Sequence, residues 1–297
     1  TPEMYLSGYP CDDLVLRSDF MAEVASGLEM LAATTTDGGP AIIVGAPHAD
    51  GGVITNSVFV LDEGQVQARR DKVNLPNYGV FDDKRNFTAG DMPGPVQVRG
   101  MRLGLPVCED IWTSDVIECL AESGAQMIIS LNASPFDLMK SDARMAHAVS
   151  RVHESGLPLV YVNMVGGQDE LVYDGASFAL NADGKLAAHL PSFSETTSVI
   201  RVGEDFGVPS LTGQMTPPDD GMGALYRILL FHAQHMHRRF DDVFQDRHMA
   251  PQIEALEHHA QLGADPFNLF DVLGHGPGFA RLFGGARLLH GDGLAGD

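Results

Sequence analysis

The sequence predicts an α/β protein in which buried strands alternate with helices. From Pro40 to Val202, short runs of β-branched and other apolar residues alternate with segments whose apolar residues recur at helical spacing. Hairpin signals occur at Asp62-Glu63-Gly64 and at Asn181-Ala182-Asp183-Gly184. Most strand-like runs are nearly continuous in apolar residues, as expected where both faces of a sheet are covered. We therefore expect a sandwich of sheets and helices.

The individual elements follow from these patterns. The runs that read as strands are short and rich in β-branched residues. Strands are predicted over 41–45, 57–61, 65–68, 101–107, 127–131, 159–164, 176–180, 185–190 and 197–202. Helices are predicted over 114–123 and 141–155, because Gly124 and Gly156 follow their apolar patterns at the positions where helices end.

The composition changes after Arg201. Residues 203–223 are rich in proline, glycine and aspartate, which is typical of a linker. Residues 224–240 read as a helix, and the remainder is rich in Gly, His and Arg with few strand signals. We therefore expect a domain over 1–202, a linker over 203–223 and a partly helical, irregular tail over 224–297.

Charge and composition exclude several functional classes. The 297 residues include 40 acidic and 19 basic ones, a net charge of −21, which disfavours binding to nucleic acid or to an anionic membrane. No apolar run approaches the roughly 20 residues that span a bilayer. The three cysteines lack the spacing of a disulfide framework or a zinc site, which favours the reducing cytoplasm. His232, His235 and His237 lack an accompanying ligand at metal-binding spacing, so a solvated helix is the favoured interpretation.

One cysteine lies where an α/β fold often exposes a nucleophile. Cys108 follows the apolar run 103–107 and precedes a helix start, where backbone N–H groups favour a thiolate and an oxyanion. On this pattern alone, a buried inert cysteine is the favoured interpretation. Lys72 alone reads as a surface charge. Cys119 is expected in the core and Cys11 in a loop.

Taken together, these segments resemble the nitrilase superfamily in order, context and separation. Glu3, Lys72 and Cys108 look like its Glu, Lys and Cys catalytic positions. Longer segments are similar to the glutaminase domain of glutamine-dependent NAD synthetases, and the resemblance covers about residues 1–202. These segments are Tyr5-Leu6-Ser7-Gly8-Tyr9-Pro10, 74–82, Asn132-Ala133-Ser134-Pro135-Phe136, 163–171 and Asp174-Gly175-Ala176-Ser177-Phe178.

The resemblance implies a fold and a mechanism. The fold would be an α-β-β-α sandwich that lacks the family's first strand and helix, because the chain starts just before the Glu3 segment. Cys108 would attack the side-chain amide of glutamine and form a thioester. Glu3 would act as the base, and Lys72 would stabilise the oxyanion together with a backbone N–H near Glu109.

The resemblance also implies substrate-binding positions. The family's glutamine-binding residues carry over onto Tyr78, Ser134 and Lys140. The charge of Lys140 suits the substrate α-carboxylate, and the hydroxyl of Ser134 suits the polar end of the substrate. Asp83 stands where the family more often has a glutamate, so a supporting carboxylate is one methylene shorter.

The family continues into an ATP-dependent synthetase domain, which uses magnesium and a Ser-Gly-Gly-x-Asp-Ser loop. That loop is not found in this sequence, and the likeness ends after Ala224-Leu225-Tyr226-Arg227. The resemblance therefore implies a glutaminase module without a cofactor of its own, which supplies ammonia for amidation of nicotinic acid adenine dinucleotide. Its partners would be L-glutamine, a synthetase domain or subunit, and further copies of the chain in a homo-oligomer. Two alternatives remain: an amidase for another small amide, and an inactive assembly module.

Overall fold

The computed structural model describes residues 1–137, 140–168, 171–205, 207–218, 223–224 and 226–227. Its smaller sheet is antiparallel and consists of β1 (Ile42–Asp50), β2 (Val53–Asp62) and β3 (Gln65–Asp71). Gly51 and Gly52 join β1 to β2 with φ angles of +57° and +86°, a left-handed pair that favours glycine. The predicted hairpin between β2 and β3 is confirmed.

The larger sheet is mixed. It contains β4 (Val96–Val98), β5 (Met101–Gly104), β6 (Met127–Asn132), β7 (Leu159–Asn163), β10 (Phe178–Leu180) and β11 (Leu186–His189). Their order across the sheet is β11-β10-β7-β6-β5-β4. The central strands β5, β6 and β7 are parallel, because α3 (Asp115–Glu122) and α4 (Lys140–Ser155) provide the crossovers that parallel strands need. The predicted hairpin between β10 and β11 is confirmed.

The sheets and helices form four layers. Val58 and Val60 of β2 pack against Leu103 and Leu131 of the larger sheet, in a core between the sheets. The outer face of the larger sheet packs against α3 and α4 through residues that include Ile117, Leu120, Ile128, Val152 and Leu159. The outer face of the smaller sheet packs against α1 (Ser18–Ala33) through Val24, Leu28, Val44 and Phe59. The predicted α-β-β-α sandwich is therefore confirmed.

Helix α1 lies outside the predicted elements. Its buried residues Val24, Leu28 and Ala32 recur every four positions, and this single stripe is the signal of an amphipathic helix. Shorter elements complete the described chain. They are α2 (Asp83–Asn86), β8 (Val165–Gln168), β9 (Leu171–Asp174), and 3-10 helices at Asp12–Leu16, Thr34–Asp37 and Cys108–Ile111.

The first part of the predicted linker is a hairpin instead. Its strands are β12 (Arg201–Asp205) and β13 (Val208–Thr212). Leu211 is fully buried in the core between the sheets, and its N–H donates to Oδ1 of Asn181 at 2.7 Å. The linker prediction was therefore wrong for residues 203–212, because composition alone does not show this pairing. The predicted tail, including His232, His235 and His237, lies almost entirely outside the described residues.

No helix in the described ranges has the length and apolar character needed to cross a membrane.

Candidate active site

Three segments that are distant in sequence meet in the interior. Glu3 follows the chain start, Lys72 follows β3, and Cys108 begins a 3-10 helix beyond β5. The exposed fractions of these residues are 1%, 1% and 5%, respectively. Glu3 and Lys72 contact each other directly, and the electrostatic influence of both reaches the Cys108 thiol. The structure therefore brings together the acid, the cation and the thiol that the sequence singles out.

Lys72 is a buried cation between two carboxylates. Its Nζ lies 2.9 Å from Oε1 of Glu3 and 2.7 Å from Oδ2 of Asp83. Burial opposes the charge, but the attraction of Glu3 and Asp83 outweighs it and raises the pKa of Lys72 above its usual value. An ammonium group has three N–H donors. In the described part of the chain only two of them have hydrogen-bond partners, which leaves one for a further acceptor.

Glu3 is held by donors on both carboxylate oxygens. Oε1 accepts hydrogen bonds from Lys72 and from Nδ2 of Asn56 at 2.7 Å. Oε2 accepts a hydrogen bond from the backbone N–H of Ala133 at 2.9 Å. Since Asn56 and Ala133 are also buried, the orientation of the carboxylate is fixed.

Cys108 stands on a strained turn. Its φ of +45° lies in the left-handed region, which is uncommon for a residue with a side chain. Burial raises the pKa of the Cys108 thiol and the charge of Glu3 adds to this effect, while Lys72 and the backbone N–H of Ala133 lower it. Burial thus outweighs the groups that favour the thiolate, and the resting thiol keeps its proton. The thiol needs a base before it can act as a nucleophile.

Asp110 ties the lysine segment to the cysteine turn. Its Oδ1 accepts hydrogen bonds from the backbone N–H groups of Val73 and Asn74 at 3.1 and 2.7 Å. Its Oδ2 accepts a hydrogen bond from the N–H of Val107 at 2.9 Å. Burial raises the pKa of Asp110 to about 6, although these N–H groups favour its charged form. One buried carboxylate thus fixes the residue after Lys72 relative to the residue before Cys108.

Asp83 reaches the site despite its shorter side chain. It begins α2, where its N–H donates to the carbonyl of Pro76 at 3.1 Å. Besides the contact with Lys72, its Oδ1 accepts a hydrogen bond from the hydroxyl of Tyr9 at 2.6 Å. The ring of Tyr9 also lies 5.7 Å from Nζ of Lys72. The shorter side chain of Asp83 therefore still contacts both Lys72 and Tyr9.

The three predicted substrate-binding residues are placed differently. Ser134 is buried, and its hydroxyl oxygen accepts a hydrogen bond from Nε of Arg144 at 3.1 Å. Tyr78 is about half exposed, and its hydroxyl donates to both carboxylate oxygens of Glu109, at 2.9 and 3.0 Å. Lys140 is the first residue of α4, and its side chain lies outside the described part of the structure.

The other two cysteines lie in different environments. Cys11 is 2% exposed, and its thiol donates to the carbonyl of Gly8 at 2.7 Å. Burial raises the pKa of Cys11 to about 12, which makes it a poor nucleophile. Cys119 is only half-buried on α3. The prediction that Cys11 lies in a loop is confirmed, whereas the prediction that Cys119 lies in the core was wrong.

Several contributors to the site lie outside the predicted set. They include Tyr9, Asn56 and Asp110, each of which contacts Glu3, Asp83 or the Cys108 turn. Asn56 lies within the polar run Thr55-Asn56-Ser57, inside a strand that is otherwise apolar and buried. Buried polar residues in such a strand are a usable signal, because they need partners. No grouping of three or more His, Cys, Asp or Glu suited to a metal occurs within the described ranges.

Comparisons with known proteins place this sequence among relatives. The carbon–nitrogen hydrolase family model matches residues 1–205. Glutamine-dependent NAD(+) synthetase from Rhodobacter capsulatus is 45% identical over 194 residues, which cover 65% of this chain and 35% of that protein. The chain thus spans about a third of the length of the curated relatives it matches.

Two solved structures show the same relationship. Glutamine-dependent NAD+ synthetase from Acinetobacter baumannii, in complex with ADP, gives a TM-score of 0.74 at 30% identity, with 80% of this chain and 45% of that chain covered. An amidase from Nesterenkonia sp. AN1, with acrylamide joined to its active-site cysteine by Michael addition, gives a TM-score of 0.55 at 25% identity. That match covers 73% of this chain and 78% of the amidase.

Proposed function

This chain belongs to the carbon–nitrogen hydrolase family, and on that premise we propose that it hydrolyses the side-chain amide of L-glutamine through a thioester on Cys108. In the proposal, the ammonia released is used by a synthetase domain or subunit for amidation of nicotinic acid adenine dinucleotide. The similarity to glutamine-dependent NAD synthetases supports this substrate and this partner. The hydrolysis itself uses only side chains and backbone groups of this chain and needs no cofactor.

The observation that carries the proposal is the buried contact between Glu3 and Lys72 beside the thiol of Cys108. Amide hydrolysis needs a nucleophile, a proton carrier and a positive group for the developing oxyanion. The three residues supply these functions in one buried site, where electrostatic effects are strong.

The first half of the reaction forms the thioester. Glu3 takes the thiol proton of Cys108, and the sulfur attacks the amide carbon to form a C–S bond. The carbonyl oxygen becomes an oxyanion, which accepts the remaining N–H of Lys72. Glu3 then passes its proton to the amide nitrogen, the C–N bond breaks, and ammonia leaves. A protonated resting thiol suits this order of steps, since the Glu3 carboxylate removes the proton from the thiol and delivers it to the amide nitrogen.

The second half regenerates the enzyme. Glu3 takes a proton from water, and the resulting hydroxide attacks the thioester carbon. The C–S bond breaks, glutamate leaves, and the sulfur recovers the proton from Glu3. The net reaction consumes glutamine and water and produces glutamate and ammonia. Lys72 carries the oxyanion in both halves, because it stays charged between Glu3 and Asp83.

Recognition of glutamine is assigned to Ser134, Tyr78 and Lys140. Ser134 follows Ala133, whose N–H donates to Glu3, and Tyr78 contacts Glu109, the residue after Cys108. We assign the substrate α-carboxylate to the ammonium of Lys140, because opposite charges form the stronger hydrogen bonds.

The test measures glutamate and ammonia from L-glutamine with the full chain, with Cys108→Ala as the control. Equal amounts of both products, absent in the control, are expected. A second series offers acetamide and propionamide, since the amidase of Nesterenkonia sp. AN1 matches over most of its length. Faster release from these amides than from glutamine would overturn the substrate assignment in favour of an amidase. No release from any amide, with or without an added synthetase domain, would point to an assembly module.

A further inference from the structure

A buried ion pair connects α4 to β9 behind the candidate site. Nη1 of Arg144 lies 2.8 and 2.9 Å from the two carboxylate oxygens of Asp174. The two side chains are only 4% and 6% exposed. Burying two charges is expensive, and a buried pair is therefore weak evidence of stabilisation alone. The remaining contacts of the arginine indicate what the pair does.

Arg144 forms hydrogen bonds with the chain segment that follows β6. Its Nη2 donates to the carbonyls of Ser134 at 2.7 Å and Pro135 at 2.8 Å. Its Nε donates to the hydroxyl oxygen of Ser134 at 3.1 Å. The preceding residue, Ala133, donates its N–H to Glu3 at 2.9 Å. The guanidinium thus fixes the second and third peptide units after the one whose N–H donates to the candidate base.

We propose that Arg144, held by Asp174, is a positioning residue that aims the Ala133 N–H at Glu3 and holds Ser134 towards the substrate. The assignment of Ser134 rests on the proposed function, whereas the contact of the Ala133 N–H with Glu3 does not. Arginine is needed because its planar fork presents donors in fixed directions. A lysine can pair with Asp174 but cannot hold both carbonyls and the hydroxyl at once.

The same helix offers a matched control. Arg151 also lies on α4, is 8% exposed and forms an ion pair with Glu154 at 2.6 Å. This partner belongs to α4 itself, so the pair makes no connection to the segment after β6. Arg144→Lys and Arg151→Lys are therefore the same chemical change on one helix, at positions that differ in their link to the site.

The experiment measures acrylamide labelling of Cys108 in the full-length variants between pH 7 and pH 10, by peptide mass. Labelling follows the thiolate fraction, and one pKa unit changes that fraction about tenfold below the midpoint. Without the aimed N–H, Glu3 is no longer held in place to take the thiol proton, so Arg144→Lys should label about three- to tenfold more slowly than wild type. Arg151→Lys should label at the wild-type rate. Loosening of the fold alone would expose Cys108 and speed its labelling instead.

Glutamate release provides the second readout. Arg144→Lys should lower kcat and raise KM for glutamine, while Arg151→Lys leaves both unchanged. If the wild type releases no glutamate, the proposed function fails, yet the labelling comparison still tests the positioning role. Wild-type or faster labelling in Arg144→Lys, or equal slowing in Arg151→Lys, would overturn the proposal. If Arg144→Lys does not fold, Arg144→Gln with Asp174→Asn removes both charges together and should show the same slowing.

Discussion

Replacing Lys72 by methionine removes the cation that Glu3 and Asp83 share. Methionine keeps most of the volume, so the change concerns charge more than packing. In the wild type the ammonium lies 2.9 and 2.7 Å from the two carboxylates, and all three side chains are at most 4% exposed. We expect Lys72→Met to lose both stability and turnover.

The size of the expected loss in Lys72→Met follows from the burial of the ion pairs. Removing one partner of a buried ion pair typically costs about 3–5 kcal/mol, because a charge is left uncompensated. For a domain of this size, 1 kcal/mol corresponds to roughly 2–4 °C, so Tm should fall by about 6–20 °C. Loss of an oxyanion contact typically lowers kcat by about two to three orders of magnitude. Since the pKa of Lys72 is raised, its stabilisation is fully present below pH 10.5 and is lost only as pH rises through the higher folded value.

The assay is a double-mutant cycle of Lys72→Met with Asp83→Asn, followed by urea unfolding at pH 7 and by glutamate release. Removing one carboxylate together with the lysine leaves only Glu3 charged, and Asn56 and Ala133 still donate to it. The double variant should therefore be more stable than the sum of the single changes by about 1–3 kcal/mol. Its turnover should stay low, since the cation is still absent.

Two results would refute this reasoning. Additive losses in the cycle would show that Lys72 and Asp83 do not interact in the folded protein. A Lys72→Met variant with wild-type turnover would show that another group stabilises the oxyanion.

Further predictions concern the thiol of Cys108, the base Glu3 and the buried carboxyl group of Asp110. Cys108→Ala should abolish glutamate release while Tm stays within a few degrees, whereas Cys119→Ala stays active; acrylamide on Cys119 in place of Cys108 would contradict the assignment. Glu3→Gln should block both acylation and deacylation, so neither a burst nor steady glutamate release is expected, and normal turnover at neutral pH would exclude Glu3 as the base. Burial raises the pKa of Asp110 from 3.8 to about 6, so its stability contribution is full below about pH 4 and is lost as pH rises through 6. Wild type should therefore lose up to ~3 kcal/mol relative to Asp110→Asn between pH 4 and pH 7 in urea unfolding, and parallel pH profiles would contradict this account.

Sequence patterns predicted the sandwich because its buried strands are continuous apolar runs. The runs at 127–131 and 159–164 are apolar on both faces, and they form the parallel strands β6 and β7 between the other sheet and the helices. Helix α1 has one buried stripe and many exposed positions, so its signal is weaker. The hairpin of β12 and β13 depends on where Leu211 packs, which no local pattern contains.

The site was predicted through resemblance more than through local chemistry. Lys72 alone reads as a surface charge, yet it is 1% exposed, because its partners come from residues 3 and 83. Contacts from distant parts of the chain also decide the protonation state of the Cys108 thiol. Burial raises its pKa more than the neighbouring cation and backbone N–H group lower it. Asp110 and Arg144 bind backbone N–H and carbonyl groups. Because every residue type carries at least one such group, the sequence does not show which residues these side chains contact.

The hairpin of β12 and β13 also decides where this domain can be cut. The family match ends at residue 205, between the two strands, and the composition change falls at 201. A fragment ending at either point would lack Leu211. The apolar core between the sheets would then be exposed to water where the Leu211 side chain packs. It would also lose the backbone bonds from Gly213 to Ala187 and from Thr216 to His189, which protect the edge strand β11. An expression fragment for crystallisation or assembly studies should therefore extend at least to Thr216.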